Sequence, residues 1–149
     1  MNPLWIVALV GAVLAGALIA LQAPTNAMLA RAVASPVNAA LVSFAVGLGA
    51  LAVAALALGA RPNPAAVRDL PWYAWTGGLY GAVFVALAAF AAPRLGVTFF
   101  LMMAIAGQLA MALLLDKTGA FGLAAQEISF QRVGGVLLVL AGAWLVQQR

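Results

Sequence analysis

Five stretches of this chain, at about residues 4–22, 37–60, 72–92, 96–115 and 130–147, are dominated by Ala, Leu, Val, Gly and Ile and contain no acidic side chain. Their length is the main constraint on what the chain can fold into. A helix rising 1.5 Å per residue needs roughly 20 apolar residues to cross the hydrocarbon of a bilayer. In lipid the backbone must satisfy its own hydrogen bonds, which a helix does within a single segment. The alternative, a soluble domain, fails on composition. With 67% hydrophobic and 7% charged residues in 149, there is not enough polar surface to cover a globule. The expected fold is an all-α integral membrane protein of five transmembrane helices, a single transmembrane domain over residues 1–149. The first stretch has no basic leader and too long an apolar run for a signal peptide, and four more stretches follow it. It is read as a retained span, with helical character extending to about residue 32.

Polar residues punctuate the spans. Ser35-Pro36 is an N-cap followed by proline at the first helical position. The segment 61-RPNPAAVRDLP-71 has three prolines and three charges and reads as an exit to water. Trp5, Trp72, Trp75 and Trp144 fall near segment ends, where interfacial aromatic belts sit. Pro93-Arg94-Leu95 is a short link that makes the third and fourth spans an antiparallel hairpin, and 117-KTGAFGLAAQEISFQR-132 is placed along the membrane surface. Lys and Arg in short loops set orientation. The side of the N-terminus has Arg61, Arg68, Lys117 and Arg132, and the other side has Arg31, Arg94 and Arg149. Four against three is almost no bias. Either one topology wins by other means or a segment is misplaced, or the protein inserts both ways and pairs antiparallel.

Several function classes drop out. Cys and His are absent, which removes thiolate and imidazole metal sites, Cys and His nucleophiles and disulfides, and leaves no compartment to be read from cysteine usage. No cofactor is expected and no enzyme chemistry, since no carboxylate pair shares a pocket. The basic residues are scattered singly, so no nucleic-acid patch is expected. The stretch 47-GLGALA-52 fits a dinucleotide fingerprint, but it sits inside an apolar helix with no preceding strand and no acid about 20 residues on, and it is discarded. The buried carboxylate that commonly relays protons in small multidrug carriers is also missing.

Polar residues at membrane depth are the remaining candidates. Gln22, Thr25 and Asn26 fall at i, i+3, i+4, on one face of a helix. Pro24 lacks an N–H and frees the carbonyl of Ala20, and such breaks are tolerated only against protein or a wet cavity. Gln22 as a simple membrane exit is the competing reading. Gln108 lies mid-span, where an unpaired amide costs several kcal/mol; an interhelical hydrogen bond and a cavity contact both meet that need. Asn38 shares a face with Ala45 and Gly49, but it lies two residues past Pro36, where a capping role competes. Thr76, Tyr80 and Phe84 form an i, i+4, i+8 stripe that either lines a cavity or fills an interface. Gly77 and Gly81 make a G-x-x-x-G step, which lets helix backbones approach closely in lipid.

The segments GGLYGAVFV (77–85), GVTFFLMMAIAGQLAMALLLDKTGAFGL (96–123) and AGAWLVQQR (141–149) resemble the YdcZ-like family of the drug/metabolite transporter superfamily over nearly the whole chain. The most distinctive positions are Gln108-Leu109, Leu115-Asp116 and Gly142-x-Trp144-Leu145-Val146, whereas Gln22 and Asn26 match more loosely. The resemblance implies a multi-pass protein of the cell inner membrane, with five helices forming one half of a ten-helix antiparallel homodimer, because longer superfamily members look like two inverted copies fused. It also implies export of metabolites or drugs, without a defined substrate.

Together these readings lead to an expected transporter of small neutral or amphiphilic organic molecules. Its substrate-binding residues would be Gln22, Asn26, Asn38, Tyr80 and Gln108, with Gly77 and Gly81 in helix packing. A dual-topology ion channel and a non-transporting subunit of a larger membrane complex remain open beside it.

Overall fold

The computed structural model describes residues 2–61, 63, 67–68 and 70–147. Pro62, Pro64, Asp69 and Arg149, used above to place the exit loop and count charges, lie outside them. The described residues form five long helices: α1 (Pro3–Ala32), α2 (Pro36–Ala57), α3 (Gly77–Leu95), α4 (Val97–Thr118) and α5 (Phe130–Gln147). All five are long and apolar enough to cross a membrane. A 3-10 turn, Trp72–Trp75, precedes α3.

The helix ends follow from local chemistry. Asn2 caps α1, its Oδ1 accepting from the Leu4 N–H at 3.0 Å, and Pro3 follows in the first turn, where a missing N–H costs nothing. Ser35 caps α2 by accepting from the Asn38 N–H at 3.2 Å. The link expected at Pro93-Arg94-Leu95 is helical: α3 carries Pro93 inside it and runs on to Leu95. The break comes at Gly96, with φ 81°, a left-handed value that glycine adopts without penalty. Gly119, with φ 63°, ends α4 in the same way. A Cβ at Gly119 would also come within 3.0 Å of the Leu123 carbonyl oxygen.

The helices group into two compact units, residues 1–94 and 95–149. In the first, Ala30 of α1, Ala39 of α2 and Ala89 of α3 form a buried cluster flanked by Leu29 and Val33. Alanine is the expected packing residue here. Lipid tails are as apolar as leucine, so helices associate where small side chains let their surfaces come close. Phe44 of α2 lies against Gly81 of α3, where an added Cβ would be 3.2 Å from the ring. The pairs 39/89 and 44/81 together make α2 and α3 antiparallel. In the second unit α4 packs on α5, with Phe100, Ala106 and Ala143 buried and Met102 against Gly142.

The four tryptophans are all exposed, and Trp72 meets Tyr73 edge-on at 6.1 Å. The segment expected along the membrane surface is a short 3-10 turn, Ala120–Gly122, followed by chain without regular structure to Ser129. Arg132, read from sequence as a loop charge, is instead the third residue of α5.

Candidate functional site

Asn26 is the one polar side chain buried among the described residues, 5% exposed, and its Nδ2 has no hydrogen-bond partner. It shares the buried face of α1 with Ala23, Ala27 and Ala30, an i, i+3, i+4, i+7 pattern. Gln22, one turn earlier, is half-buried on the same side. Thr25 separates from them. It is exposed, and its hydroxyl is occupied within the helix by the Leu21 and Gln22 carbonyls at 3.1 and 2.9 Å. Pro24 sits inside α1, so the Ala20 carbonyl has no i+4 N–H to accept. This stretch therefore offers an unpaired amide donor and, within two turns of it, a carbonyl that lacks its usual i+4 donor.

One turn inward from the alanine cluster, the antiparallel register brings Asn26 of α1, Ser43 of α2 and Val85 of α3 to a common level. Val85 is buried and Ser43 half-buried. Ser43 was missed in the sequence reading. Its i+4 spacing from Ala39 was the available signal, but only the packing shows which face of a uniformly apolar helix turns inward.

The other expected site residues spread out. Asn38 is exposed in the first turn of α2, where its backbone N–H, not its side chain, makes the cap bond. Tyr80 is exposed in the first turn of α3, accepting from the Thr76 hydroxyl at 2.9 Å. Since Ala39 packs level with Ala89, Asn38 and Tyr80 stand about 15 Å apart along the helix axes. Gly81 makes its close approach to the Phe44 ring rather than to a backbone, and Gly77 has open space where a Cβ would be. Gln108 lies in the other unit, exposed at mid-α4 and without a hydrogen-bond partner among the described residues.

That second unit has a polar lock at one end. The Arg132 guanidinium donates to Asp116 Oδ2 at 2.9 Å and to Gln126 Oε1, and the Gln126 N–H donates to the Asp116 carbonyl at 2.7 Å. The connection between α4 and α5 is thereby tied to both helices. A pocket of about 360 Å³ next to the lock is lined by Leu109, Ala112, Leu113, Gly135 and Val136. Among the described residues no group of three or more acidic, His or Cys side chains is placed to hold a metal ion.

Residues 7–145 match the model of a family described as "Putative inner membrane exporter, YdcZ". A search of the curated proteins and of the solved structures finds no match.

Proposed function

Because the chain belongs to the YdcZ family of inner membrane exporters, we propose that it exports small neutral or amphiphilic organic molecules by alternating access in an antiparallel homodimer. One observation supports this reading: among the described residues Asn26 Nδ2 is buried with no hydrogen-bond partner, and the amide of Gln108, exposed at mid-α4, has none either. In hydrocarbon such groups are tolerated only against protein or a wet cavity. A second copy packed over the Gln108 face of α4 would enclose it, and a cavity reaching Asn26 would give its amide a cargo to bond. No acidic side chain lies beside either amide in sequence, which suits a cargo recognised by hydrogen bonds and apolar contact rather than by a counter-ion.

Rocking of one half against the other around a site near the membrane midplane is the usual transporter geometry. The experiment is a flux screen in proteoliposomes with metabolite pools as competitors. Saturable flux that falls in Gln108→Ala supports the proposal. Unitary currents in planar bilayers would make the protein a channel, and inactivity with a stably co-purifying second chain would make it a subunit.

A further inference from the structure

Where α1 and α3 end and α2 begins, a pocket of about 430 Å³ opens between Ala27, Ala30, Ser35, Pro36 and two arginines, Arg31 and Arg94. Its charge is unbalanced. No acidic residue lines it, and the only acid in residues 1–94 is Asp69, which falls in sequence on the connection between the far ends of α2 and α3. Asp116 is already engaged by Arg132. Arg31 has no hydrogen bond or ion pair among the described residues. Arg94 is held in place: its guanidinium lies 3.8 Å over the Phe90 ring and donates to the Phe90 carbonyl. This engages one nitrogen and leaves the other N–H groups of the fork free.

Two arginines lining one pocket place like charges near each other with no counter-ion, and the flat fork of a guanidinium matches the oxygens of a phosphate. The depth is also specific. Both arginines sit in the last turns of spanning helices, where hydrocarbon gives way to headgroups and where basic pockets between helices take lipid phosphates. We propose that this pocket is an oxyanion site for the phosphate of an anionic phospholipid, gripped by Arg31 and Arg94 beside the alanine-packed junction of α1, α2 and α3. A lipid held there would bridge the three helix ends and fix the junction that lies one turn outside Asn26. The site does not depend on transport.

The test uses the full chain in nanodiscs of phosphatidylcholine with and without phosphatidylglycerol, read by native mass spectrometry for retained lipid and by thermal melting. Phosphatidylglycerol should be retained over phosphatidylcholine and should raise the melting temperature. Arg31→Gln should weaken the preference about fivefold, the effect of one basic residue at an anionic surface, and Arg31→Gln/Arg94→Gln should abolish it. Arg31→Gln disturbs no observed contact, so loss of fold does not confound it. Arg31→Lys keeps the charge without the fork and should fall between wild type and Arg31→Gln. Unchanged retention in the double variant would overturn the site. Equal stabilisation by soluble glycerol phosphate in phosphatidylcholine alone would overturn the lipid as its occupant.

Discussion

Asn26 and Gln108 are both amides in apolar helices, yet their surroundings differ and so do the outcomes expected of removing them. Asn26 Nδ2 is buried and unpaired, a condition that costs about 1–3 kcal/mol. Asn26→Ala should therefore leave the melting temperature unchanged or raised while transport is lost. A lowered melting temperature with intact transport per folded protein would make Asn26 structural. Gln108 is exposed on α4 and has no hydrogen-bond partner among the described residues, so on the proposed dimer Gln108→Ala removes at most a bond to a second copy, about 0.6 kcal/mol on average in membranes. Flux should drop strongly with the dimer still folded. The absence of histidine adds a demand on the same assay. Flux should vary smoothly between about pH 5 and 8, where imidazole titrates, and a sharp step there would contradict a site built from amides.

At the scale of elements, the α4–α5 connection and the α2–α3 contact make separable predictions. The Asp116–Arg132 pair is partly exposed, 38% and 42%, so Asp116→Asn should cost about 1 kcal/mol or less. Its clearer effect should be faster proteolysis within residues 119–129, with flux retained. Gly119→Ala should be worse, because a left-handed backbone costs a non-glycine residue roughly 1–2 kcal/mol and the added Cβ meets the Leu123 carbonyl at 3.0 Å. At Gly81 the neighbour is the ring of a part-exposed Phe44, which can yield to one methyl but not to a branched side chain. Gly81→Leu should lower stability by about 1–3 kcal/mol. A Cβ at Gly77 has nothing within 4 Å among the described residues, so any loss of dimer in Gly77→Ala would place Gly77 at the interface between copies.

Much of this element-scale picture was legible beforehand. The five helices were readable because bilayer thickness sets a length that apolar runs either reach or do not, and the cap at Ser35 follows from residue chemistry. The inward faces were harder to read. When a helix is apolar all round, periodicity does not distinguish lipid from protein, so the Ala30–Ala39–Ala89 packing, Ser43, and the Arg31–Arg94 pocket came only with the structure. Arg132 went astray for a related reason: one charge at a helix start looks like a loop charge until its partner, Asp116, is seen.

For the whole molecule, the proposed pairing of two copies bears on the surface that one chain leaves uncovered. The core is built almost entirely of alanine, and α1 is exposed at every residue from Pro3 to Ile19. Its 30 residues span about 45 Å, more than the hydrocarbon thickness of about 30 Å, so α1 must tilt or project. Both features leave surface for lipid or for a second chain. On the proposed antiparallel pairing, the near-even split of basic residues would let copies insert in either direction. The chain contains no cysteine, so a single one introduced at Gln147, at the end of α5, reports its side of the membrane without background. In intact spheroplasts an impermeant maleimide should label one population of Gln147→Cys, and a second population should label only after the membrane is opened. Added lysines beside that position should collapse the two into one and abolish transport. A single orientation in the unmodified background, with transport intact, would contradict the antiparallel dimer.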